Sequence, residues 1–341
     1  MQAEERKQAG ITAIENIIAS YAENVYRIQV ASVQRVGGYS NQNYRVVSVD
    51  NRHYIARLAR RNRTEESCVA EEYLLRSLAK QRPQLAPVLV RLPSGSALVD
   101  IAGNECWQYL HLFHAIPGTI DGLWWQQCSI DKLEQLFEQL AVLHQQMNGI
   151  MPLTIWEPVM RRYPLPETAP AVLAATATGS YVIHEWQQFL QGATQIQQDM
   201  EAVFPWHKAR YQWIHGDVQM ENVLFNEGGL TSFLDFEWVS WDACEKDVIL
   251  SAFRTCKEGR QDDFFRYDDT RLQVALDAYR RENPDLCEEF FTAFDTLWKP
   301  FFCLDQAMLY LVNAFDGIWE LQPGIGFLPC FDEVVQYRSP L

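Results

Sequence analysis

The stretch YQWIHGDVQMENVLF, from Tyr211 to Phe225, is apolar at both ends and polar in the middle. Two runs that read as buried strands flank the pattern H-G-D-x-x-x-x-N. Asp and Asn in such a gap can simply order a turn. Thirteen residues after Asn222, however, Asp235 stands inside a further apolar run, FLDFEW. Phosphoryl transfer requires a carboxylate that accepts the proton of an attacking hydroxyl. It also requires ligands that hold Mg2+ against phosphate oxygens. Asp217 fits the first role. Asn222 can turn back to a metal because the segment between is a loop, and Asp235 can reach it from the neighbouring strand of a hairpin. Hard oxygen ligands of this kind suit Mg2+.

Outward from this stretch the pattern divides in two. Residues 12–27 place Ile14, Ile17, Ile18, Tyr21 and Val25 on one helical face. Short strand-like runs follow: IQVASVQRV and NYRVVSVD around the turn-rich GGYSNQ, then HYIARLA. Thr64 is positioned to cap a helix with Glu65 and Glu66 in its first turn. VLVRL and WQYLHLF read as two more strands. Residues 1–113 therefore predict an antiparallel sheet with one long inserted helix. Beyond Ile116-Pro117-Gly118 the signal turns helical: residues 131–147, 181–203 and much of 269–321. Pro164–Pro170 and the tail from Pro323 read as loops. The expected fold is α+β, with a β-rich lobe at 1–113 and a mostly helical lobe at 114–341.

Composition narrows the partners. The 341 residues carry a formal charge of −15, which argues against a general nucleic-acid binder. Eight scattered cysteines without a C-x-x-C pair predict neither a zinc site nor a disulfide framework. No run of about 18 apolar residues marks a membrane span, and the charged start MQAEERKQAG is not a signal peptide. The expectation is a cytoplasmic protein acting on a small molecule, with no nucleic-acid or membrane partner. Oligomeric state is not encoded in any motif.

H-G-D-x-x-x-x-N followed by Asp235-Phe236-Glu237 resembles the aminoglycoside phosphotransferase and choline kinase superfamily, which includes homoserine kinases of the same type. DFEW-VSWDACEKD is especially close to choline kinases, and LAVLHQQ at 140–146 resembles the family's L-x-x-L-H helix. The resemblance implies a protein-kinase-like bilobal fold, ATP and Mg2+ as cofactors, and a structural Asp at Asp247, twelve residues past Asp235. It also implies that GGYSNQNYRV, with Gly37, Gly38, Ser40 and Asn41, covers the nucleotide. Arg57 stands where kinases place the strand-three Lys, with Glu71 as its partner and Glu72 as the alternative. WQYLHLF then resembles the hinge, through Leu112 and Phe113. His215 is taken with Asp217 as part of the catalytic loop, as the residue that fixes it.

The implied activity is ATP-dependent phosphorylation of a small-molecule hydroxyl. A protein Ser/Thr kinase would need an activation segment and an A-P-E anchor. Only eleven residues separate Asp235 from Asp247, and no A-P-E follows. A non-catalytic nucleotide-binding module would not need the base. The acceptor follows no local motif, so homoserine, choline or ethanolamine, an aminoglycoside and similar alcohols stay open. Net acidity leans toward an amine. Trp238, Trp241, Trp298 and Trp319 are candidates for an aromatic cage around such an amine.

Overall fold

The computed structural model describes residues 2–38, 41–60, 63–81, 85–92, 99–100, 109–122, 126–153, 163–165, 167–174, 176–258, 267–321 and 326–341. The chain forms two compact units. The first comprises Met1–Gly118 together with Thr231–Glu237, and the second Thr119–Leu230 with Trp238–Leu341.

The first unit opens with helix α1 (Gln2–Asn24), followed by β1 (Val30–Gly37), β2 (Gln42–Ser48) and β3 (His53–Leu58). Helix α2 (Glu65–Gln81), β4 (Val99–Asp100) and β5 (Tyr109–His114) complete it. The sheet order is β1-β2-β3-β5-β4, all pairs antiparallel. Strand side chains alternate between faces. Tyr54, Ala56 and Leu58 of β3 therefore share one face and pack with Ile18, Tyr44, Val46 and Leu112 in a core lined by α1. Arg57 lies between them in sequence and takes the other face, opposite His111 of β5 in the register. Thr64 caps α2, its hydroxyl accepting from the Ser67 amide at 3.2 Å. The run VLVRL makes no strand: it meets β5 only at the bridge Leu89↔Phe113. β4 occupies the start of β5 by pairing Val99 with Leu110 and Asp100 with Tyr109, and this run bonds only its end, His114 N–H to Val88 O at 2.9 Å and Val90 N–H to Leu112 O at 2.7 Å.

The second unit carries β6 (Thr119–Ile120), α3 (Ile130–Met147), α4 (Ala169–Leu173), α5 (Ala177–Val203) and β7 (Tyr211–Ile214). Strand β8 (Val223–Asn226) pairs with β6, and β9 (Gly229–Phe233) leads the chain into the first unit. On its return come β10 (Ser240–Ala243), paired with β7, then α6 (Cys244–Thr255), α7 (Asp269–Glu282), α8 (Lys299–Phe315) and α9 (Leu328–Val335). The periodic residues Leu133, Leu136, Phe137, Leu140, Leu143 and Met147 of α3 are all fully buried. A second core joins α5, α8 and α9, with Phe189 stacked on Phe331 at 4.7 Å. Two of the proline-bearing segments expected as loops are partly helical: α4 begins within the first, and α9 lies in the tail. Pro170 and Pro329 sit in the first turns of these helices, where a missing N–H costs no hydrogen bond. Among the described residues, no helix is long and apolar enough to cross a membrane.

Candidate active site

In the first unit the site is a cluster of buried charges. The Arg57 guanidinium donates through Nη2 to Glu71 Oε2 at 2.5 Å and through Nη1 to Asp235 Oδ1 at 3.1 Å. Its centre lies 5.1 Å from the Phe113 ring centroid. Arg57 Nη2 also approaches His111 Nδ1 at 3.3 Å. Burial works against the charge on Arg57, but Glu71 and Asp235 outweigh it and hold the guanidinium above its ordinary pKa. Burial likewise opposes the charge on Glu71, yet Arg57 and Arg63 keep that carboxyl below the usual range. Burial takes His111 down to about 3, so this imidazole is neutral.

Glu71, not Glu72, reaches Arg57, because Glu72 bonds Arg76 at 2.8 Å. Asn41 links the glycine-bearing turn to the same cluster. Its amide donates to Glu237 Oε2 at 3.0 Å, and its carbonyl oxygen accepts from the Arg60 amide at 3.0 Å. Gly38 has φ +108°, and a Cβ there would stand 2.0 Å from the Asn41 carbonyl oxygen, so the turn requires glycine. Gly37 shares the positive φ, at 145°. Ser40 lies outside the described residues. Leu112 faces the α1 side, and its carbonyl accepts from the Val90 amide at 2.7 Å.

Asp235 follows the end of β9 rather than lying within it, and has φ +59°, a left-handed conformation uncommon for a non-glycine residue. Burial and the neighbouring Glu237 push its carboxyl up to about 7, against the pull of Arg57. Such a carboxylate gains from a cation.

In the second unit, one buried carboxylate organises the H-G-D loop. Asp247 Oδ2 accepts from the His215 amide at 2.9 Å, and Oδ1 from the Gly216 amide at 3.0 Å. His144 of α3 bonds Asp247 at 3.0 Å through Nε2, and its Nδ1 meets the Tyr279 hydroxyl at 2.7 Å. Burial tends to raise the Asp247 carboxyl, but His144 and the bonded amides hold it below its ordinary value. His215 Nδ1 accepts from the Asp217 amide at 3.2 Å, which fixes the turn. Asn222 Nδ2 donates to Asp217 O at 2.9 Å and Oδ2 at 2.8 Å, so its amide oxygen points away from Asp217. The other Asp217 oxygen forms an ion pair with Arg254 of α6. Gly216 has φ +76°, and a Cβ there would approach Trp238 O to 2.5 Å. Gly216→Ala is therefore expected to destabilise the protein by about 1–3 kcal/mol. Thermal melting checks this, and an unchanged Tm would show that the loop tolerates a side chain.

The family model described as phosphotransferase enzyme family matches residues 32–286. This chain belongs to that family. No curated protein matches the phosphotransferase. Among solved structures it is similar to an amicoumacin kinase, hAmiN, in complex with AMP-PNP, Ca2+ and Ami, at 17% identity and TM-score 0.65, covering 98% of each chain. Choline kinase LicA from Streptococcus pneumoniae is similar at 14% identity and TM-score 0.63, over 95% of this chain and 98% of that one. A microcompartment-associated aminopropanol kinase aligns at 15% identity and TM-score 0.60, over 95% and 94%. The fold of the phosphotransferase is thus the protein-kinase-like α+β fold.

Three arginines escaped sequence reasoning: Arg60, Arg63 and Arg254. Arg254 had a signal. It follows Asp247 by seven residues, two helical turns, and so shares its face of α6. Trp298 is no cage residue in the phosphotransferase: it is fully buried in the helical core, its Nε1 donating to Phe290 O at 2.7 Å.

Proposed function

We propose that this phosphotransferase uses ATP and Mg2+ to phosphorylate a hydroxyl of a small molecule. The observation that carries the reading is Arg57: a buried, permanently charged side chain bonded at once to Glu71 and to Asp235. A guanidinium anchored on one edge can grip phosphate oxygens with its remaining donors. In this reading Arg57 holds the α- and β-phosphates, and the turn with Gly37, Gly38, Ser40 and Asn41 covers them. The strand around Leu112 and Phe113 bounds the adenine.

Asp235 and Asn222 are the residues that would hold Mg2+. Both offer hard oxygens, and the raised Asp235 carboxyl is short of positive charge. Among the described residues no cluster of three or more His, Cys, Asp or Glu forms a ready-made metal cage. That accords with Mg2+, which is usually bound by one or two carboxylates plus substrate phosphates. When bound, the ion neutralises charge on the β- and γ-phosphates. Asp217 accepts the proton of the acceptor hydroxyl, with its carboxylate aimed by Arg254 and Asn222. His215 fixes the loop that carries Asp217.

An amine-bearing alcohol is the acceptor class we favour. Choline and aminopropanol, named for two of the similar kinases, are amino alcohols, and the charge of −15 draws cations toward the protein. A panel of amino alcohols, aminoglycosides and neutral polyols with coupled ADP detection tests this. Turnover confined to neutral polyols would overturn the amine preference, and ADP release with no acceptor on the panel would overturn the acceptor class. A second expected result concerns the metal. Asp235→Ala should weaken Mg2+-dependent ATP binding more than Asn222→Ala, because a carboxylate offers charge and an amide only a dipole. Calorimetry with and without Mg2+ measures both, and equal losses would reverse the ranking.

A further inference from the structure

Arg57 and Glu71 do not form a closed pair. Glu71 Oε2 accepts from Arg57 Nη2 at 2.5 Å and from Arg63 Nη2 at 2.7 Å. Arg63 is fully buried and is itself anchored: its Nε donates to Ser67 Oγ at 3.0 Å and Nη2 to Ser67 O at 3.3 Å. Ser67 and Glu71 are four residues apart on α2, so Arg63 spans one turn of that helix. Among the described residues, Glu71 Oε1 and Arg57 Nε are buried without a hydrogen-bond partner.

This arrangement departs from the usual preference of the two groups. An arginine and a carboxylate left alone favour a two-pronged contact, two parallel N–H···O bonds. Here Glu71 grips Arg57 with one oxygen only. The second oxygen and Arg57 Nε, the atoms that would close the fork, both stay unpaired inside the protein. Arg63 supplies the reason. It claims the same Glu71 oxygen from the side and ties it to the first turn of α2, so the carboxylate cannot rotate to lie flat against Arg57.

We propose that Arg63 is a positioning residue for nucleotide binding: it restrains Glu71 to a one-oxygen grip and so keeps the Arg57 guanidinium open to phosphate. The inference rests on the phosphate role given to Arg57 above. Arg63 touches no nucleotide in this scheme and acts through Glu71. Without it, Glu71 closes on Arg57 bidentately, and phosphate must compete with a buried carboxylate for the same donors.

The test measures ATP and adenosine affinity by calorimetry on the full chain. Arg63→Met is expected to weaken ATP about tenfold, the scale of one charge-assisted hydrogen bond, and to leave adenosine unchanged. Arg63→Lys, which retains a cation beside Glu71, is expected to recover most of the ATP affinity. In a Glu71→Gln background the Arg63→Met change should add little, because its route has been removed. Unchanged ATP affinity in folded Arg63→Met, equal weakening of ATP and adenosine, or full additivity with Glu71→Gln would each overturn the proposal. Should Arg63→Met fail to fold, Arg63→Gln, which retains a donor toward Ser67, takes its place under the same criteria. A native chain that binds no ATP would instead defeat the nucleotide reading itself, so the two failures are distinguishable.

Discussion

Asp217→Asn is expected to lower kcat roughly 10²- to 10⁴-fold, the usual worth of general-base assistance, while ATP binds as before. The substitution is nearly isosteric. An amide oxygen can still face Arg254, whose charge burial already disfavours, pulling the guanidinium down to about 10. Asn222 still finds the Asp217 carbonyl oxygen, 2.9 Å from its amide nitrogen. The loop is held by Asp247 through the His215 and Gly216 amides, which the change does not touch. What disappears is the capacity to take a proton. Steady-state kinetics with the best acceptor, paired with ATP calorimetry, makes the comparison, and near-native kcat in Asp217→Asn would remove Asp217 from the role of base.

Arg57→Met should act on the other substrate. Charge-assisted hydrogen bonds contribute about 1.5–3 kcal/mol each. ATP affinity should therefore fall roughly tenfold to more than a hundredfold for each bond lost. Adenosine carries no phosphate, so its binding should hardly change. Glu71→Gln should weaken ATP less than Arg57→Met, and Glu72→Gln should have no nucleotide effect, since Glu72 is engaged with Arg76. The variant must be checked for folding first, because breaking a buried ion pair from one side typically costs about 3–5 kcal/mol. Arg63 retains one partner for Glu71, which limits that cost. Equal weakening of ATP and adenosine would sink the phosphate role.

The sequence made the local features legible. Alternation in HYIARL marks β3, the i, i+3, i+4 spacing marks α3, and the H-G-D-x-x-x-x-N spacing depends on one short loop. Contacts set by helix phase were not legible. Glu71 and Glu72 differ by about 100° around α2, and both stand in the same E-E-x-L-L surroundings. Only the packed orientation of α2 turns Glu71 to Arg57. Arg63 gave no signal, because a buried arginine looks like a surface one until its partners are known. Trp298 illustrates the converse: a tryptophan offered as a cage wall for an amine has its ring stacked within the core on Phe302 at 5.5 Å.

The path of the chain through the first unit has a consequence for how the protein is made. Three guanidinium groups, Arg57, Arg60 and Arg63, are matched there by Glu71, Asp235 and Glu237, and two of those carboxylates arrive on the returning segment Thr231–Glu237. Arg57 and Asp235 are 178 residues apart, and Asn41 and Glu237 are 196 apart. On a ribosome the segment Met1–Gly118 therefore emerges with its buried arginines short of counter-charge. At about 5–20 residues per second it waits on the order of ten seconds or more for the missing acids. Domains usually mature in the order they are synthesised. This one cannot close its charged interior until about half of the second unit has been translated.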